Sequence, residues 1–277
     1  MKGFTVSGTT SFRRIVFRSA VVALAGATSL AVTAGSAGAI INGSEPTESY
    51  PFMATIPITA PLMGLTDGNC GAALIDPQWL VTAAHCLDME IGSIPAGTVR
   101  IGSDQRKSGG TVRRIAQAFL HPGYAQNAPN KNDIALVRLD RPVSIKPIRI
   151  ADQAGEPGTP TRILGFGVTR FSTDPADWKM AGKLRQLDTR RGAVSECGPG
   201  FADDTRLCTI SQKPKAMACN GDSGGPQIQR GRGGRWELIG VTSGPGAKSP
   251  SCEQGPGLYT NVPAYSDWIS KTIRANG

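Results

Sequence analysis

Three residues at separate places in the chain have the types needed to break an acyl bond. Ser223 lies in GDSGGP (221–226), His85 closes VTAAHC (81–86), and Asp133 heads the apolar run of NDIALVRL (132–139). The glycines around Ser223 permit backbone angles closed to other residues, so a tight turn can expose the hydroxyl and aim N–H groups at one point. Acyl transfer uses both features, because an oxyanion forms as the carbonyl is attacked. A serine hydroxyl also needs a base at neutral pH, and the chain offers two histidines, His85 and His121. His121 stands in FLHPGY, where Pro122 and Gly123 mark an exposed turn, so the base is assigned to His85. An unpaired charge ahead of an apolar strand is costly, which argues for a partner at Asp133. A carboxylate is what fixes the tautomer and orientation of a catalytic imidazole.

Rival chemistries are weighed on the same residues. GDSGG also fits G-x-S-x-G, the nucleophile elbow of lipases and esterases, but that arrangement needs its histidine after the serine. Neither histidine follows Ser223, so this reading falls. An order of aspartate, histidine, serine is formally open through Asp67 or Asp76, yet it belongs to a fold of alternating strands and helices that the pattern here does not show. With no CxxC pair and only two histidines, a zinc site is not expected, and neither is any other metal or cofactor.

The elements that must position these residues are short β-type runs. AALID (72–76), WLVTAA (79–84), DIALVRL (133–139), TRILGFG (161–167) and WELIGVTS (236–243) are rich in Val, Ile, Leu and Thr and bounded by turn residues. They read as strands of a sandwich or barrel. Helical periodicity is found mainly in PAYSDWISKTIR (263–274), where Tyr265, Trp268, Ile269 and Ile273 share a face. Pro142, Pro147, Pro157 and Pro160, with Gly155 and Gly158, mark a boundary between two halves at 140–160. RGRGGR (230–235) reads as a hairpin tip, since an RNA-binding tract would carry interleaved aromatics.

Residues 1–39 read as a cleaved export signal. Lys2, Arg13, Arg14 and Arg18 form a basic start, an uncharged Ala/Val-rich run follows, and Ala37-Gly38-Ala39 supplies the small residues of a cleavage site. Arg13-Arg14 hints at twin-arginine export, though its flanks fit that signal poorly. The segment holds four of the 30 basic residues and none of the 21 acidic ones, so the remaining chain carries (30 − 4) − 21 = +5. That charge is unexceptional and gives no reason to expect nucleic acid as a partner. All six cysteines, Cys70, Cys86, Cys197, Cys208, Cys219 and Cys252, lie beyond residue 39. Export to an oxidising compartment makes disulfides the expectation, with the pairing open at this point. The protein is expected to be secreted and extracellular, without a membrane span.

IING (40–43), LVTAAHC (80–86), NDIALVRL (132–139), CNGDSGGP (219–226) and GPGLYTNV (255–262) together resemble the trypsin/chymotrypsin family of serine proteases, in a bacterial-type, secreted form. The resemblance covers residues 40 to 277 and implies an all-β protease domain. It consists of two packed six-stranded antiparallel Greek-key barrels, about 40–150 and 155–262, and a C-terminal helix at about 263–275. It implies a serine endopeptidase in which His85, Asp133 and Ser223 form the triad through an acyl-enzyme, and the N–H groups of Gly221 and Ser223 form the oxyanion hole. It also selects the pairs Cys70–Cys86, Cys197–Cys208 and Cys219–Cys252. A non-catalytic relative would ordinarily lack a triad member, and here every position is filled.

The family's pattern implies two further roles. A new amino terminus at Ile40 pairs with Asp222, and because Ala39 rather than Arg or Lys precedes Ile40, signal cleavage itself is expected to create it. Met217 takes the floor of the primary specificity pocket, with Ala218 beside it, Thr242 on the substrate-pairing strand and Gly244 and Gly257 as small wall positions. Where trypsin-like members carry an aspartate, Met217 gives an apolar preference (Phe, Tyr, Leu, Met), with a basic preference through Glu253 as the alternative. Two departures stand out: Thr242-Ser243-Gly244 occupies the place of Ser-Trp-Gly, and Phe166 replaces a frequent Trp. Expected partners are protein or peptide substrates and protein protease inhibitors, with the enzyme a monomer.

Overall fold

Runs of β-branched and apolar residues interrupted by Gly and Pro leave short strands whose buried faces need each other, and closing a sheet on itself removes its exposed edges. The computed structural model describes residues 1, 3–5, 7–9, 40–61, 64–89, 94–127, 129–249 and 251–277. Apart from its first few positions, the expected export signal lies outside the described residues.

The first half holds β1 (Met53–Ala60), β2 (Leu65–Asp76), β3 (Trp79–Thr82), β4 (Ile94–Pro95), β5 (Thr98–Ile101), β6 (Thr111–Leu120) and β7 (Ala135–Leu139). Six of them close in the order β2-β3-β7-β6-β5-β1, with β1 pairing back onto β2 and the two-residue β4 added beside β1. The second half holds β8 (Arg149–Ile150), β9 (Pro160–Gly165), β10 (Arg185–Arg191), β11 (Arg206–Ser211), β12 (Pro226–Arg230), β13 (Trp236–Pro245) and β14 (Gly257–Asn261). Here β12-β9-β10-β11-β14-β13 closes through β12–β13, and the short β8 lies parallel to β13. The result is two six-stranded antiparallel barrels followed by a helix, α1 (Ser266–Asn276).

Apolar side chains fill both barrels. Trp79, Ile56, Leu74, Leu80, Ile101 and Leu136 are buried in the first, and Ile163, Leu187, Leu207, Ile239 and Tyr259 in the second. Tyr265, just ahead of the helix, and Trp268, Ile269 and Ile273 on it lie against the first cluster. His121 opens the exposed turn expected from its neighbours, its carbonyl accepting the Tyr124 N–H at 2.8 Å with Pro122 and Gly123 exposed. Its ring is half-buried, with centroids 5.2 Å from Tyr265 and 5.0 Å from Trp268, both edge-on. The barrel boundary needs correction at the start: residues 40–44 are bonded into the second barrel. Ile41 N–H donates to Met217 O (3.0 Å), and Ser44 and Gln186 exchange N–H bonds of 2.9 and 3.0 Å. RGRGGR is the tip joining β12 to β13, with Arg230 stacked 3.8 Å over Trp236 and paired to Glu48 at 2.8 Å.

Candidate active site

His85 lies in a single 3-10 turn, Ala84–Cys86, where β3 ends, and the Cys70–Cys86 disulfide fastens that turn to β2. Asp133 sits just ahead of β7 and is 2% exposed. Its Oδ2 lies 2.8 Å from His85 Nδ1, and its Oδ1 accepts the His85 backbone N–H at 3.0 Å. An ionised carboxylate can only accept, so Nδ1 carries the proton and Nε2 is left with a free lone pair that can accept one. The second barrel reaches across to the same aspartate: Ser243 Oγ donates to Oδ2 at 2.6 Å, and Thr260 Oγ1 donates to the Asp133 carbonyl at 2.7 Å.

Burial pushes the Asp133 carboxyl up, but the charge and hydrogen bonds of His85 and the Ser243 hydroxyl outweigh it and hold the group below its ordinary range. Burial likewise pushes His85 down, and Asp133 overrides it, so the imidazole ends above its ordinary value. His121 has no such partner, and burial lowers it.

Ser223 is held between the barrels. Its carbonyl accepts from Gly71 of β2 (2.7 Å), Gly224 N–H donates to Thr242 O (2.8 Å), and Thr242 N–H donates to Gly225 O (2.9 Å). The turn needs its glycines: Gly221 and Gly224 have φ of +87° and +74°. A Cβ on Gly224 would lie 2.1 Å from Thr82 Oγ1. Asn69 Nδ2 ties Gly221 O to β2 at 2.9 Å, and the disulfides Cys219–Cys252 and Cys197–Cys208 brace this half. His85, Gly221 and Ser223 line one cavity, together with the apolar side chains of Ile58, Leu65, Trp178 and Met180. The structure thus gathers all three residues picked from the sequence, with Gly221, at the junction of the barrels.

Asp222 is turned away from that cavity. It is 1% exposed, and its two oxygens accept the N–H groups of Gly167 (2.7 Å) and Cys219 (2.9 Å). No cationic side chain among the described residues contacts it, and burial, only partly offset by the two N–H donors, pushes its pKa up to about 7. Ile40 is fully buried in the second barrel's core beside Met217 and Tyr259, with φ +56°.

A second cavity, of about 210 Å³, opens beside Ser223. Met217, Ala218, Thr242, Gly244 and Gly257 all line it, as expected, with Phe171 and Pro245 in addition. None of its described lining residues is charged. Glu253 lines a different cleft, so the feature that kept a basic preference open does not reach the cavity. Gly257 does not leave its wall empty: a Cβ there would meet Met217 Sδ at 2.9 Å, so the thioether fills that side. Around Gly244 a Cβ would meet nothing within 4 Å, and that wall stays open.

Ser243, read from the sequence only as the middle of Thr242-Ser243-Gly244, turns its hydroxyl to Asp133 where β13 carries a bulge between Thr242 and Gly244. Sequence reading gave Ser243 no role at Asp133; the signal was a Ser-Gly step at the end of a strand whose bulge cannot be seen from residue types. Phe166 is buried in the core, a packing replacement as expected.

The family profile described as Trypsin matches residues 40–269. Human kallikrein-11 is 34% identical over 233 residues, spanning 79% of this chain and 77% of its own. The thrombin-like enzyme acutin of Deinagkistrodon acutus is 33% identical over 219 residues, spanning 75% of this chain and 86% of its own. Among solved structures, neuropsin, a serine protease expressed in the limbic system of mouse brain, superposes with a TM-score of 0.68 at 27% identity, over 84% of this chain and all of its own. These relatives come from animals, so the bacterial-type expectation is not borne out.

Proposed function

The chain belongs to the trypsin family of serine proteases and is a serine endopeptidase acting on protein or peptide substrates, and from that premise we propose how its own residues do the work. Ser223 attacks the scissile carbonyl, His85 Nε2 takes its proton and passes it to the leaving amine, and Asp133 holds the imidazole and balances its charge. The N–H groups of Gly221 and Ser223 receive the oxyanion. The observation that carries this reading is the 2.8 Å contact between His85 Nδ1 and a buried Asp133 Oδ2, beside a cavity shared with Ser223.

Two finer assignments go with it. The uncharged cavity walled by Met217 takes an apolar side chain, because a buried cation there would find no counter-charge. Cleavage before Ile40 supplies an ammonium to Asp222, a carboxylate that is otherwise costly to ionise, and an export signal over 1–39 places that cut during secretion. Beyond residue 39 the protein is a secreted, monomeric protease domain with protein inhibitors as further partners.

A fluorophosphonate label and a panel of Phe-, Leu- and Arg-ending chromogenic peptides test the reading on the enzyme with Ile40 at its amino terminus. Covalent labelling at Ser223 and preference for Phe or Leu are expected. No label on Ser223 overturns the catalytic assignment, and a dominant Arg signal overturns the apolar pocket.

A further inference from the structure

Among the described residues, the end of β13 leaves one edge unpaired beside Ser223. On its other edge it pairs with β14 to the end, Thr242 with Tyr259, Gly244 with Leu258 and Pro245 with Gly257. Toward Ser223 the pairing stops earlier: Thr242 turns its N–H and C=O to Gly225 and Gly224, and pairing with β12 ends at Val241. Beyond that point Gly244 and Pro245 line the same cavity as Ser223 and Met217. An open strand edge takes up another extended chain through main-chain hydrogen bonds. A peptide that lays one side chain against Met217 and its next carbonyl at Ser223 runs along this edge.

Pro245 has no N–H. A proline inside a strand is tolerated where its nitrogen faces an unpaired edge, and β14 occupies the other side, so the missing donor lies on the cleft side. The cleft edge is thus asymmetric. It keeps the Pro245 carbonyl as an acceptor and offers no donor in register with it.

We propose that Pro245 cuts short the main-chain recognition of substrate upstream of the scissile bond. The substrate residue facing Pro245 bonds through its N–H alone, and its own carbonyl stays with water. Selection then falls mainly on the side chain in the Met217 cavity, and added upstream residues contribute little to turnover. This inference rests on Ser223 being the nucleophile.

The measurement is kcat/KM for acetyl-Phe nitroanilide and acetyl-Ala-Ala-Phe nitroanilide, taken as the ratio of long to short substrate. Pro245→Gly and Pro245→Ala both restore the N–H but differ in backbone freedom. Both are expected to raise the ratio about two- to tenfold, the worth of one neutral hydrogen bond. A ratio unmoved in both variants overturns the inference, and so does a rise confined to the glycine variant, which would report chain freedom instead of a donor. Acetyl-Phe ester turnover reads the serine chemistry by itself. Ester turnover that survives Ser223→Ala therefore marks failure of the nucleophile assignment, a result distinct from an unmoved ratio.

Discussion

Asp133 and Asp222 are the same residue type buried to nearly the same depth, 2% and 1% exposed, yet the fold moves them in opposite directions. Burial raises both, and what differs is the company. Asp133 has a titratable imidazole, its backbone N–H and a hydroxyl, drawn from both barrels. Asp222 has two backbone N–H groups and no contacting cation among the described residues. Neutral donors ease a buried carboxylate, but a charge is what offsets its lost hydration. One aspartate is completed by folding alone; under the proposed activation, the other is completed when Ile40 becomes an amino terminus.

Asp133→Asn breaks the first half of the comparison and carries the largest expected effect. The carboxamide no longer selects the Nδ1–H tautomer, and kcat should fall about 10⁴-fold, the loss that the Ser-His-Asp arrangement shows for this change. Circular dichroism should stay unchanged, because the variant keeps a polar group at the same place. A fall below tenfold would show that His85 is oriented by something other than this carboxylate.

Asp222→Asn sharpens the second half. In the cleaved enzyme it strands a buried ammonium, which should cost about 3–5 kcal/mol of the active conformation. That corresponds to an active fraction roughly 10²- to 4 × 10³-fold smaller. In a chain with the Ala39–Ile40 bond intact, the sign follows from Asp222 itself. Its folded pKa of about 7 exceeds the unfolded value, so the folded state binds more protons and stability falls as pH rises from about 4 to about 7. In the cleaved enzyme the paired ammonium has the raised pKa. Its contribution is full below its ordinary value of about 7.7–8.0 and fades as pH climbs through the raised one. Thermal melts of the two forms between pH 4 and 10 check this; identical profiles would remove Ile40 from any role at Asp222.

Why the sequence exposes some of these partners and hides others is a matter of range. His85, Asp133 and Ser223 were legible because each chemical need is written in a local string: a glycine turn, an apolar strand end, a charge at a strand head. Their chain order alone removed the lipase arrangement. The β runs were legible too, since period and turn residues are local. Ser243 was not, because a bulge depends on how two strands register, which residue types do not encode. Nor could the sequence show that Met217 fills the wall at Gly257, that Glu253 points into another cleft, or that α1 covers His121. Each of these is a contact between segments far apart in the chain.

Ser243→Ala probes the smallest difference between the two aspartates, a single hydroxyl. Its 2.6 Å bond falls on the same Oδ2 that holds His85 Nδ1, so the two donors share one oxygen, to which Asn130 Nδ2 adds a longer bond of 3.4 Å. A hydrogen bond to a charged group contributes about 1.5–3 kcal/mol, and part of that is expected as a roughly tenfold loss in kcat/KM. The pH profile separates electrostatics from mere packing. With the hydroxyl gone, Oδ2 concentrates its charge on the imidazole, so the protonated form of His85 gains stability and the acid limb of kcat/KM moves to higher pH. Activity requires the neutral base, so the variant should lose most at the acid end and recover part of its loss above the limb. A uniform loss across the profile, with the limb in place, would mean that Ser243 only packs against Asp133 and that His85, through its ring and its backbone N–H, with the longer Asn130 bond, sets this aspartate apart from Asp222.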